Sequence, residues 1–257
     1  PTAMTVGTGI RTHIWIPMGT SSVVLPDTTL DYHAHILPGC DHGSDSVETS
    51  RRQLEMARKA GVATVCATPH FYPQRETVAC FLDRRARTAE LLRAGLPADA
   101  PRIQLGAEVL ICDGLERMQE LPLLCREGTD ELLLELPFYP WQPTVWQTLW
   151  RLCERDDIRL VVAHADRYPP ENIRRLIQEG VPLQLNADCL RKPLRRRLYL
   201  AWIRSGYVPY LGSDMHMLGR GYRDFALCRD WLSRHLSAQD TRSVPEEEHD
   251  HAESRDN

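Results

Sequence analysis

The sequence predicts an α/β fold, a closed or distorted barrel built from seven β/α units on a parallel sheet. Three observations carry this expectation. Short apolar runs alternate with helix-like segments along most of the chain. The length of 257 residues suits one large domain. Histidine and carboxylate residues recur just after the apolar runs, and barrel proteins place their chemistry at the carboxyl ends of their strands.

Residues 1–26 show no clear periodicity and read as an irregular extension. The expected strands are Thr29–His33, Ala63–Ala67, Arg102–Gly106, Glu131–Leu136, Arg159–Ala163, Pro182–Asn186 and Val208–Gly212. Helices are expected near 45–60, 75–94, 113–119, 142–155, 169–179, 191–205 and 221–236. Asp45 and Glu48 resemble a capping box that opens the first helix, and Gly61 supplies its stop. Val145, Leu149 and Leu152 form a buried helical stripe, which Trp146 and Trp150 widen as core rather than as a ligand platform. Residues 27–236 form one domain. From 237 to 257 the chain is acidic and polar, with no apolar periodicity, and reads as a disordered tail.

Apolar residues make up 42% of the chain and charged residues 26%, enough apolar content for a sizeable core. The net charge of −4 belongs to the tail, whose seven acids face only Arg242 and Arg255. The remaining body is near neutral, which argues against a nucleic-acid groove. Eight scattered cysteines, none in a C-x-x-C pair, read as reduced core residues of a cytoplasmic protein. No segment reads as a transmembrane helix or a signal peptide.

Asp31-Tyr32-His33-Ala34-His35 is the first chemically informative stretch. Two histidines two apart on a strand share a face. Taken alone, the pair reads equally well as metal ligands or as hydrogen-bonded loop residues. Asp41 and His42 follow the same strand, and later strand ends add His70, Glu108, His164 with Arg167, and Asp214 with His216. Ligand-type residues at five of seven expected strand ends point to a metal centre. Arg191, Lys192, Arg195, Arg196 and Arg197 form a basic run, read first as a solvated helical face and second as a docking surface. Tyr139 and Trp141 are equally plausible as a substrate mouth or as packing.

The segments D-Y-H-A-H-I-L-P-G-C-D-H-G, A-T-P-H, G-A-E-V, E-L-P-F, A-H-A-D-R and G-S-D-M-H resemble the PHP (polymerase and histidinol phosphatase) superfamily over roughly residues 29–236. Within it they look most like the bacterial metal-dependent protein tyrosine phosphatases of capsule and exopolysaccharide clusters. The resemblance implies a PHP fold, a distorted (β/α)7 TIM-like barrel. It implies two to three divalent ions, manganese first and iron or zinc as alternatives. Their ligands are His33, His35, His42, His70, Glu108, His164, Asp214 and His216, with Glu108 as the bridging carboxylate. Arg167 aligns with the arginine of the H-x-x-R motif and Arg220 is a second phosphate-binding candidate. The implied substrate is a phosphotyrosine protein such as the tail of a bacterial tyrosine kinase, without nucleic acid or membrane insertion.

This chain departs from the family pattern at three places. Asp41-His42-Gly43 stands where Asp-Asp-Gly is usual, so an imidazole replaces a carboxylate. The middle of His164-Ala165-Asp166-Arg167 is changed from H-P-E-R. Met217 replaces a usual Asn, and Arg220 lies closer to His216 than the family arginine does. Competing readings are a histidinol-phosphatase-like small-molecule phosphoesterase and a metal-binding scaffold without activity.

Overall fold

The computed structural model describes residues 25–138 and 140–236. Expectations for the N-terminal extension up to residue 24, for Tyr139 and for the acidic tail fall outside these residues.

All seven expected strands form, and two of them are split. Leu30–Ala34 (β1) lies parallel to Thr64–Ala67 (β2), which lies parallel to Arg102–Leu105 (β4). The second strand breaks at Thr68-Pro69 and resumes as His70–Phe71 (β3). Pro69 has no N–H to give a ladder, so a break there is physically expected. The next strand breaks at Gly106-Ala107 and resumes as Glu108–Leu110 (β5). Gly106 N donates to Ala67 O (2.9 Å) and Glu108 N to Pro69 O (3.1 Å), which carries the pairing across both breaks.

Beyond the breaks, β3 pairs with β5, β5 with Glu131–Glu135 (β6), and β6 with Arg159–Val162 (β7), all parallel. Val162 N donates to Pro182 O (2.9 Å), and Val162 bridges Leu183 just before Gln184–Asn186 (β8). Strand β8 pairs with Tyr210–Gly212 (β9). The residues after β9 return to the first strand: Asp214 N donates to His33 O (2.8 Å) and His35 N to Met215 O (2.9 Å). Among the described residues, each strand position is therefore hydrogen-bonded to the next around a distorted ring.

Helices pack outside the ring: Val47–Lys59 (α1), Val78–Arg93 (α2), Pro143–Cys153 (α3), Pro170–Gln178 (α4), Arg196–Arg204 (α5) and Gly221–His235 (α6). The cap of α1 is Ser46, whose hydroxyl accepts from Thr49 N, and not Asp45 as the capping-box reading expects. Gly61 follows the helix at φ +81°, the left-handed stop that the sequence predicts. Leu149 and Leu152 are buried on α3, and Trp146 and Trp150 pack against the core beneath Arg175. Trp141 is also packing, its indole N–H donating to Pro137 O (2.8 Å). The helix expected at 113–119 is replaced by two 3-10 turns, Leu115–Arg117 and Leu121–Leu124. The helix expected at 191–205 begins only at Arg196, because Pro193 opens a separate 3-10 turn and biases Lys192 away from helical geometry. The basic run therefore spans two turns and a helix start rather than one helical face. All eight cysteines are free thiols, five of them buried. No helix among the described residues is long and apolar enough to cross a membrane.

The ring interior holds its own apolar plug of Tyr32, Cys66, Leu133, Val161 and Ala163. Tyr32 stacks on Tyr210 with ring centroids 3.9 Å apart. At the amino end of the plug, Glu131 is buried and accepts from Arg126 (2.9 and 2.7 Å), Arg159, Tyr32 (3.1 Å) and Tyr210. Removing one partner of such a cluster leaves uncompensated buried charge. Glu131→Ala is expected to destabilise the protein by about 3–5 kcal/mol in urea unfolding.

Candidate metal centre

Seven of the eight proposed ligands converge at the carboxyl ends of the strands. His33 is the penultimate residue of β1, His70 opens β3, Glu108 opens β5, His164 follows β7, and Asp214 and His216 follow β9. His35 lies just past β1. A one-residue register shift between Asp31 and Ala34 bulges this strand. The bulge lets Tyr32 enter the plug while His33, its neighbour, also joins the ligand cluster. His164 and Asp214 both adopt positive φ, +31° and +49°. Strained backbone of this kind persists where its surroundings hold it, commonly at functional sites.

Glu108 is the hub. Its Oε2 lies 3.2 Å from His33 Nε2, 3.2 Å from His35 Nε2 and 2.9 Å from His70 Nδ1. Its Oε1 lies 2.9 Å from His164 Nε2. Asp214 Oδ1 approaches His33 and His35 Nε2 at 3.6 and 3.5 Å. His216 Nε2 lies 3.4 Å from His70 Nε2. Three groups have donor atoms spaced to hold an ion: His35, His70 and His216; His33, His35 and Asp214; and His70, Glu108 and Glu135.

The donor chemistry fits divalent cations. Glu108 Oε2, His70 Nδ1 and His164 Nδ1 are buried with no hydrogen-bond partner among the described residues. Buried polar atoms are normally satisfied, so such orphans suit a bound cation. Outer contacts also aim the lone pairs inward. His35 Nδ1 faces Asp41 Oδ2 at 2.7 Å, and His33 Nδ1 faces Gln184 Oε1 at 3.2 Å. Each contact turns an Nε2 toward the cluster, as metal-ligating imidazoles require. Close packing depends on Gly212, where a Cβ would sit 2.6 Å from both His33 Cβ and Gln184 Nε2.

Three residues belong to this site that the sequence reading did not place there. Glu135, in E-L-P-F, points its carboxylate oxygens at His164 (3.7 Å) and His70 (3.9 Å). Its position at a strand end was the available signal. Gln184 accepts from His164 N (2.7 Å) as well as facing His33, and its amide donates to Asn186 Oδ1 (3.0 Å). Asn186 in turn donates to Asp214 Oδ2 (3.1 Å). Neither amide residue has a ligand motif to reveal it.

The remaining candidates fall differently. Asp41 is engaged outside the cluster, accepting from Gly43 N (2.8 Å) and His70 N (2.9 Å) in addition to facing His35. His42 is exposed and lies over the site, its ring 4.6 Å from that of His70 and 4.8 Å from that of His216, yet it is in none of the three groups. Arg167 forms an ion pair with Asp214 and is 41% exposed. It also lines an open cleft of about 670 Å³ with Phe138, Asp166, Lys192, Leu194 and Arg195. Arg220 is exposed at the cap of α6 and is not drawn into the cluster.

Charge within the site is strongly coupled. Burial opposes the Glu108 charge, but His33 and hydrogen bonds from His164, His33 and His35 hold its carboxyl well below the usual range. Burial also opposes charge on His35, yet Asp214, Asp41 and Glu108 lift it well above an ordinary histidine. His164 is raised to about 9 by its hydrogen bond to Glu108 and by the nearby Glu135 carboxylate, which together outweigh its burial. Burial and the neighbouring His35 charge push His216 down to about 4.

A parallel α/β ring with imidazoles and carboxylates gathered at its carboxyl end defines the class of barrel proteins built to hold metal. Within that class, the model of the family "Capsular polysaccharide synthesis, CpsB/CapC" matches residues 29–249, and the chain belongs to this family. It is 26% identical over 204 residues to tyrosine-protein phosphatase YwqE of Bacillus subtilis, covering 73% of this chain and 77% of the relative. It is 25% identical over 209 residues to tyrosine-protein phosphatase CpsB of Streptococcus pneumoniae, covering 74% and 83%. A crystal structure from work on YwqE and CpsB, described as metal-dependent tyrosine phosphatases, superposes with a TM-score of 0.65 at 21% identity. It covers 82% of this chain and 89% of the other, and it supports the fold.

A protonated imidazole has no lone pair for an ion. With His164 protonated up to about pH 9, metal uptake at neutral pH should release protons, and apparent affinity should rise as pH is raised toward 9. Calorimetric titration in buffers of differing ionisation enthalpy measures the released protons directly.

Proposed function

We propose that this chain is a metal-dependent phosphoester hydrolase acting on phosphotyrosine in proteins, in the control of capsule or exopolysaccharide synthesis. The observation that carries the reading is the four-imidazole environment of the buried Glu108 carboxylate, with Glu135 and Asp214 beside it. In this reading two to three divalent ions are held by His33, His35, His70, Glu108, His164, Asp214 and His216, with His42 above them. Manganese is the first expectation, and iron and zinc suit the same donors. Bound divalent ions supply a water acidified to near neutrality and positive charge for the phosphoryl oxygens.

The protein's own groups do the rest. Gln184 and Asp41 orient His33 and His35, and Asn186 steadies Asp214. Arg167, half-exposed and paired with Asp214 at the mouth of the site, would grip a phosphate oxygen through its planar fork. The cleft beside Arg167 offers Phe138 and Leu194 as apolar walls for an aryl ring, with Lys192 and Arg195 on its rim. A tyrosinate leaves readily, so aryl phosphates are favoured over alkyl phosphates, whose poorer leaving groups need protonation. The partner on this reading is a phosphotyrosine-bearing segment such as the tail of a tyrosine kinase. Arg220, exposed at the start of α6, is a second phosphate contact by resemblance alone.

Hydrolysis of an aryl phosphate should require an added divalent ion and stop in chelator, and His70→Ala should lose turnover while its circular dichroism is kept. Full activity in chelator, or faster hydrolysis of alkyl than aryl phosphates, would overturn the assignment. Arg167→Ala should raise KM for aryl phosphate by roughly 10-fold or more, the cost of one charged hydrogen bond. Steady-state kinetics in saturating metal checks this.

A further inference from the structure

His42 has a role that follows from counting donors. Each imidazole nitrogen brings one lone pair, so a histidine with one nitrogen already committed can serve one ion only. His35 is in two of the three candidate groups, with His70 and His216 and with His33 and Asp214. Its Nδ1 is committed to Asp41, which leaves Nε2 alone for both groups. His70 is shared differently: its Nδ1 faces Glu108 and Glu135 and its Nε2 faces His216, so its two nitrogens can serve both groups. When the two carboxylate-bearing groups are filled, the all-imidazole group is short of a donor.

Two residues are close enough to make up the shortfall, and only one is free. Asp41 holds Gly43 N, His70 N and His35 Nδ1 on its two oxygens, so turning it inward would leave three donors unmet. The His42 ring stands 4.6 Å from His70 and 4.8 Å from His216, is exposed, and makes no hydrogen bond within the described residues. We propose that His42 completes a third subsite with His216 and one shared imidazole, and that this subsite selects a late, imidazole-preferring ion of the zinc class, while the carboxylate-bearing groups accept manganese-class ions. Nitrogen donors without carboxylate favour zinc-class over manganese-class cations, whereas carboxylates suit manganese. The chain would thus assemble a mixed-metal centre.

The proposal rests on the metal-centre reading above, and its test separates the two. Metal-stripped full-length protein is incubated with excess Mn²⁺ and limiting Zn²⁺, passed through gel filtration and analysed by mass spectrometry for retained ions. Wild type should keep one Zn²⁺ against excess Mn²⁺. His42→Asp should lower the Zn²⁺ preference of that ion by roughly tenfold and take Mn²⁺ in its place. His42→Ala should lose one ion, with thermal unfolding of the stripped variant confirming an intact fold. Co²⁺ substitution adds an optical readout, since the visible absorption of the third Co²⁺ should shift in His42→Asp. Equal ion counts and equal Zn²⁺ preference in wild type and both variants overturn the His42 assignment alone. No retained ion in wild type overturns this proposal together with the metal-centre reading.

Discussion

Everything at the carboxyl end of the ring depends on one buried carboxylate. Glu108 sits between His33, His35, His70 and His164, each within 3.2 Å of one of its oxygens. Burying that many imidazoles without an anion would drive them all neutral and splay them apart, and burying the carboxylate alone would protonate it. Together they hold charge in a nearly fully buried position. The two strand breaks serve this arrangement. At Thr68-Pro69 the ladder loses a donor, and His70 N turns to Asp41 instead. At Gly106-Ala107 the chain steps so that Glu108 starts a new strand paired with His70.

The same principle operates at the opposite end of the plug. Glu131 and Glu135 lie at the two ends of β6, four residues apart, and the apolar layer around Leu133 separates them. Glu131 is saturated by two arginines and two tyrosines, which makes its end a closed structural cluster. Glu135, by contrast, faces only imidazoles at 3.7 and 3.9 Å, longer than hydrogen bonds. One strand thus carries a carboxylate closed off by its partners and another that belongs to a group with donor atoms spaced to hold an ion.

The fold was largely legible because alternation of apolar runs and helical segments is a local signal. The seven strands lie within a residue or two of their expected places. What was missed has physical causes. Leu115–Leu124 is too broken by Gly114 and Pro122 to hold a helix, and Pro193 delays α5. The clustered side chains were legible because imidazoles and carboxylates at strand ends announce themselves. Gln184 and Asn186 were not, because an amide on a strand looks like any polar residue until its partners are known. Arg220 is offered by the motif, and the loop before α6 leaves it exposed at the helix cap, outside the cluster.

The bulge in β1 explains why the H-x-H motif is less simple than strand periodicity suggests. In a regular strand Tyr32 and His33 point to opposite faces. Here the register slips by one residue between Asp31 and Ala34, so the tyrosine fills the plug and the histidine beside it still reaches Glu108. His35, past the strand, is then aimed by Asp41 rather than by the pleat. Asp41 is thereby held by three contacts outside the cluster, and on the proposed reading the ligand role in Asp41-His42-Gly43 falls to the imidazole. The substitution of a carboxylate by His42 is therefore not a neutral change within the motif. On that reading it changes the donor offered to a third ion from an anion to a neutral imidazole, and with it the charge that the centre would present to a phosphate.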